Sequence, residues 1–152
     1  MIFLLKIIAK LPDRLLYFIS DFMAWILQYV FRYRRSTVDK NLLLAFPEKN
    51  EASRSGIADG FYRHLADVAV EILMLSRMSP KDLLARVEII GLDYLENCSD
   101  RKESVILLSA HQGNWEWMLA AVASALSFPL DALYRTLHNA AMDRFFMDMR
   151  TQ

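Results

Sequence analysis

The segment S-A-H-Q-G-N-W-E, residues 109–116, sets an imidazole and a carboxylate four intervening residues apart, as His111 and Glu116. A carboxylate bound to one ring nitrogen fixes the imidazole tautomer and supports the imidazolium, leaving the other nitrogen free as a base. Such a pair suits deprotonation of an acceptor hydroxyl, with no side-chain nucleophile required. Gly113 permits a tight turn, Asn114 is a good N-cap, and Glu116 falls in the first helical turn, where the dipole favours a carboxylate. Spacing alone is weak evidence, because His138 and Asp143 repeat it. His111 has the better context: a longer apolar run before it, the glycine, and the cap ahead of the acid. An ordinary hydrogen-bonded histidine stands as the alternative for both.

Arg135 follows a second predicted strand, so it shares a sheet edge with His111, and its guanidinium can hold a phosphate in bidentate fashion. A surface ion pair is the other reading of Arg135. Asn114 is a second candidate substrate-binding residue, although helix capping accounts for it fully. Trp115 and Trp117 suit the floor of an acyl pocket or plain core. His64, Asp67 and Glu71 share one helical face, which reads as solvated or hydrogen-bonded rather than as a metal site. No metal ligand set is expected.

The elements that must position these residues alternate in the second half of the chain. Residues 104–110 (SVILLSA) have no period-2 polarity and read as a buried strand. A helix follows over 115–125, a short strand over 129–134, and a helix over 140–150. Strand, helix, strand, helix implies a parallel sheet with crossover helices, whose sites lie at the carboxyl ends of the strands. Residues 87–90, closed by Gly91, add a third short strand. Upstream, Phe61, Leu65, Val68, Ile72 and Leu75 recur at helical spacing over 57–78. Ser79-Pro80 stops that helix and starts a short one. Pro47 ends the segment before it, and residues 49–55 read as a polar connector. The expected fold class is therefore α/β: helices, then an incomplete, mostly parallel sheet. Two or three strands leave such a sheet without full cover, so the chain reads as the first part of a longer domain.

The chain is 55% apolar, above the roughly 45–50% of a typical soluble protein, and much of that excess lies in the first 31 residues. Lys6 interrupts the run and no small-residue cleavage site follows, which argues against a signal peptide. Asp21 and Gln28 argue against a simple span, and cations on both flanks give no orientation. Lys10, Arg14, Tyr17, Asp21, Ala24, Gln28, Arg32 and Arg35 form one thin stripe on a helix otherwise covered by apolar side chains. Residues 1–35 are thus expected to anchor the chain to membrane lipids, in the interface plane rather than across it, with 36–152 as the N-terminal part of a catalytic domain whose C-terminal part is absent. Eighteen basic and 18 acidic residues balance, so nothing points to nucleic acid. The single Cys98 supplies neither a disulfide nor a cysteine-based zinc cluster.

HQGNWE with VILLSA before it resembles the late acyltransferases of lipid A biosynthesis, the lauroyl/myristoyl type within the lysophospholipid acyltransferase superfamily. The likeness extends to Tyr33-Arg34-Arg35, to NLLLAFPE (41–48), to FYRHL (61–65), to Glu71 and to Leu133-Tyr134-Arg135. The resemblance implies that His111 is the base and Glu116 its partner, while His138 falls outside the motif. It also implies an acyl-acyl carrier protein donor, whose phosphopantetheine is the only prosthetic group involved, and a membrane glycolipid acceptor. The expected place is the cytoplasmic face of a bacterial inner membrane. Members run to roughly twice this length, so two alternatives stand beside that reading. One is an acyltransferase for another glycolipid or a lysophospholipid; the other is a non-catalytic membrane-binding fragment.

Overall fold

A computed structural model describes residues 2–150 of the chain. Met1, the first residue of the expected anchor, and Thr151 and Gln152 lie outside the described residues. The helices are α1 (Ile2–Ile8), α2 (Asp13–Trp25), a π-helical turn (Ile26–Val30), α3 (Arg35–Ala45), α4 (Glu51–Leu75), α5 (Pro80–Leu84), α6 (Leu92–Asp100), α7 (Trp115–Ala125) and α8 (Ala140–Arg150). The chain divides into two compact units, one of Leu11–Glu71 and one of Met1–Lys10 with Ile72–Gln152.

The expected α/β sheet is absent: the described residues contain no strand. Residues 87–89, 103–110 and 129–137 belong to no helix and to no ladder. An apolar run specifies burial and extended backbone, but a strand also needs a neighbour to receive its N–H and C=O groups. None of these three segments has one. Ile106 and Leu108 are 86% and 90% exposed. Gly91, read as closing a strand, instead takes φ +83° at the start of α6, a helix the sequence pattern did not suggest.

In the Leu11–Glu71 unit, the N-terminal segment is not one continuous helix. Pro12 lacks an N–H and fixes its own φ, so it separates α1 from α2 and sits immediately before α2. Tyr17 and Gln28 of the polar stripe, with Ser20 from outside it, bond to α4, whereas Asp21 is exposed. Tyr17 donates to Glu71 Oε1 at 3.0 Å, Ser20 to Asp67 Oδ1 at 2.6 Å, and Gln28 Nε2 to Asp59 Oδ1 at 2.5 Å. These bonds clip one side of α2 and the π-turn to α4, and they bury Ser20 and Gln28. Ala58 and Tyr62, one helical turn apart, pack with Val38, and Leu27 and Leu42 close the cluster. The small Ala58 lets backbones approach, whereas Phe61, expected inside, is exposed one residue round the helix. Residues 51–55, expected as connector, form the first turns of α4, begun where Asn50 Oδ1 accepts from the Ser53 N–H at 2.8 Å.

The π-turn ends in backbone strain. Phe31 N–H donates to Ile26 C=O at 3.0 Å and Tyr33 N–H to Leu27 C=O at 2.8 Å, after which Arg32 and Arg34 take φ +47° and +51°. Left-handed backbone at a non-glycine costs roughly 1–3 kcal/mol per residue. The buried Tyr62 holds the turn by donating its hydroxyl to the Tyr33 carbonyl at 2.8 Å.

In the other unit, α5 packs on α7 and α1 on α8. Leu83, Trp117, Ala121, Val122, Phe145 and Met149 supply buried apolar surface. The short α5 matches the pattern read from Ser79-Pro80. Ser79 Oγ accepts from the Asp82 N–H while Asp82 accepts from the Ser79 N–H, a capping box with Pro80 at the first helical position.

Candidate active site

The 109–116 turn forms as its residue types dictate. Gln112 N–H closes on Ala110 C=O at 2.8 Å, and Gly113 takes φ +62°, where a side chain would be strained. Asn114 Oδ1 then accepts from the Trp117 N–H at 3.0 Å and starts α7. Both helices flanking the second extended segment, α7 and α8, run over the residues their patterns marked. Asn139 caps α8 through Oδ1 to the N–H groups of Ala141 and Met142, at 3.0 and 3.1 Å.

His111 and Glu116 occupy opposite environments. His111 is exposed, its ring 4.8 Å from that of Trp115 and tilted by 47°. Glu116 is buried at 4% exposure. Its carboxylate is held by Arg150, with Nε on Oε2 at 3.0 Å and a terminal nitrogen on Oε1 at 2.5 Å. No hydrogen bond or ion pair joins His111 to Glu116 among the described residues. Arg150 in turn stacks over the rings of Tyr134 and Phe146, at 5.5 and 5.3 Å from their centroids. The hydrogen bonds to Glu116 raise its pKa above the usual arginine value, against the opposing effect of burial. A two-pronged arginine fixes the orientation of the carboxylate it holds.

Arg150 is the residue that sequence reasoning missed. The available signal was a carboxylate predicted in an apolar helix, which requires a partner, and a cation in the last turn of a second helix of matching pattern. Arg135 is exposed, without an ion pair among the described residues. His138 is likewise exposed, while Asp143 accepts from the Leu137 N–H at 2.8 Å and so caps the turn before α8. Asp67 and Glu71 are taken up by α2, and His64 is exposed.

All 152 residues match the model of the family described as bacterial lipid A biosynthesis acyltransferase. The chain belongs to that family. It is 26% identical over 145 residues to a lipid A biosynthesis acyltransferase of Haemophilus influenzae, covering 93% of this chain and 44% of the relative. It is 32% identical over 71 residues to a lipid A biosynthesis myristoyltransferase of Escherichia coli, covering 47% of this chain and 22% of the relative. The chain thus spans less than half the length of these relatives. No solved structure matches it.

Proposed function

We propose that the chain forms the base-bearing part of an enzyme that moves a fatty acyl group from acyl-acyl carrier protein to a hydroxyl of a lipid A precursor. The observation that carries this is the 109–116 turn, which presents His111 to solvent directly ahead of the capped helix holding Glu116. Membership of the family supports the reaction class. His111 takes the proton of the acceptor hydroxyl as its oxygen attacks the thioester carbonyl. The carbon–sulfur bond then breaks, and the thiol leaves with the proton returned by the imidazolium. An ionised carboxylate has lone pairs beyond those Arg150 occupies, so Glu116 can accept from the imidazole once the 111–114 turn swings toward it. Arg135 is assigned to an acceptor phosphate, and Asn114 to shaping the entrance beside its capping role.

The site of action is the membrane surface, at the cytoplasmic face of the bacterial inner membrane. Leu15, Phe18, Phe22, Trp25 and Tyr29 recur along the outer side of α2 and the π-turn, all exposed. Phe22 stacks on Trp25 with centroids 6.2 Å apart, and Trp25 meets Tyr29 at 6.4 Å. No helix among the described residues is long and apolar enough to cross a membrane. Residues 1–35 are accordingly assigned to in-plane anchoring, with the polar clips on one side and the aromatic side toward acyl chains. A non-catalytic, membrane-binding role is favoured by one observation, the engagement of both Glu116 oxygens by Arg150.

Mass spectrometry of a lipid A precursor incubated with acyl-acyl carrier protein and the protein decides between these readings. One added acyl chain per acceptor is expected. Binding to vesicles with no acylated product would support the non-catalytic role, and acylation of a lysophospholipid alone would move the acceptor.

A further inference from the structure

Arg32 and Arg35 line an open cavity of about 360 Å³ with Gln28, Tyr29 and Asp39. That is the lower end of the volumes that hold small ligands. Three observations point to an anionic guest. Arg35 is anchored through Nε to both oxygens of Asp39 at 3.0 Å, which leaves its terminal nitrogens as donors. The Arg32 guanidinium has no ion pair or hydrogen bond among the described residues, and Arg32 is exposed. Its backbone is left-handed, a conformation retained because the π-turn and the Tyr62–Tyr33 bond hold both of its flanks. Strain kept in place by the surrounding fold marks sites of function more often than chance placement does.

The cavity also terminates an apolar surface. Tyr29, which lines it, closes the exposed series Phe18, Phe22 and Trp25, and the exposed Phe31 flanks it. Cations and aromatic surface side by side recognise an amphiphile with an anionic head. Asp39 on the rim disfavours a multiply charged anion, so a singly charged phosphodiester fits better than a phosphate monoester.

We propose that this cavity binds the phosphodiester headgroup of an anionic phospholipid, with Arg32 as principal donor and Arg35 as the second. The inference rests on the membrane reading above. It turns general adhesion into a site that chooses a lipid and sets the rotation of α2 about its axis in the interface.

The test uses the full chain and two vesicle types, phosphatidylcholine alone and phosphatidylcholine with a minority of phosphatidylglycerol, followed by tryptophan fluorescence and flotation. Binding to both is expected, and tighter to the second by about fivefold per engaged arginine, equivalent to roughly 1 kcal/mol each. Arg32→Gly removes the guanidinium and relieves the left-handed backbone, so folding is preserved. It should lose about fivefold on phosphatidylglycerol and nothing on phosphatidylcholine, and Arg32→Lys should recover part of the loss. Arg34→Gly, matched in charge and backbone but outside the cavity, should lose at most about twofold. Equal losses for Arg32→Gly and Arg34→Gly would mean diffuse attraction and overturn the site. Equal wild-type affinity for both vesicles would overturn it too, while leaving the membrane reading intact. No binding to either vesicle would overturn both. Inorganic phosphate should compete no better than sodium chloride of equal ionic strength; specific competition would assign the cavity to free phosphate and refute the lipid.

Discussion

Unit Leu11–Glu71 and the part of the chain from residue 72 onward solve opposite problems with the same apolar-rich composition. In the first, polar side chains of α2 and the π-turn face α4 through Ser20–Asp67 and Gln28–Asp59, and large aromatic residues face outward. In the second, α5, α7 and α8 bury apolar residues, and a run of exposed apolar residues lies in extended backbone at 105–108. The difference teaches that apolar exposure has two meanings. On a helix, arrayed at turn spacing, it forms one continuous apolar face, the face proposed above to meet lipid. On extended backbone without a ladder partner, it is a segment whose N–H and C=O groups are also unsatisfied by secondary structure, a template for pairing with other chains.

Five substitutions sharpen this contrast, from the largest effect to the smallest. Tyr62→Ala should destabilise the Leu11–Glu71 unit by about 3–5 kcal/mol, the usual cost of truncating a buried aromatic. It also leaves the Tyr33 carbonyl without its donor. Denaturant unfolding followed by Trp25 fluorescence, in a background with Trp115→Phe and Trp117→Phe, would report it, and a change under 1 kcal/mol would refute the assigned core. Arg150→Gln should cost about 2–3 kcal/mol, less than a fully buried broken pair, because Arg150 keeps a quarter of its side chain in solvent. Glu116→Gln should cost less, since its carbonyl can still accept from Arg150. Equal costs would show that the pairing depends wholly on the charge of Glu116.

Asn114→Ala should cost about 1 kcal/mol and fray the start of α7, read as faster amide exchange at Trp117. The smallest effect concerns acid. Ser127 donates its hydroxyl and N–H to Glu96, which holds that carboxyl below its ordinary value of 4.5. A lowered folded-state pKa contributes stability above the unfolded value and loses it as pH falls through the folded one. Glu96→Gln should therefore flatten a slight loss of stability below about pH 4.5, and leave stability near neutrality little changed. A variant with an unchanged acid profile would show that the exposed contact is worth nothing.

Legibility in the sequence followed the range of the interactions. Helices α7 and α8 were readable to their ends because cap, periodicity and stop all lie within one segment. The same holds for Ser79-Pro80 and α5. Residues 104–110 and 129–134 were misread because periodicity reports burial tendency, while a strand exists only through a partner elsewhere in the chain. The polar stripe on α2 was visible, but its role depended on Asp59, Asp67 and Glu71, dozens of residues away. The same distance hid Arg150. At the candidate site the turn, cap and glycine were local and clear. The placing of His111 against Trp115, and of Glu116 against Arg150, was not, because spacing brings two residues near without deciding what each will bind.

The central claim is that His111 is the base of an acyl transfer. The direct measurement is the rate of transfer from acyl-acyl carrier protein to a lipid A precursor by wild type, His111→Ala and His138→Ala, with equal membrane binding confirmed for all three. Loss of general-base catalysis should slow His111→Ala by about 10²–10⁴-fold and leave His138→Ala close to wild type. Equal rates for wild type and His111→Ala, or equal losses from both substitutions, would contradict the assignment.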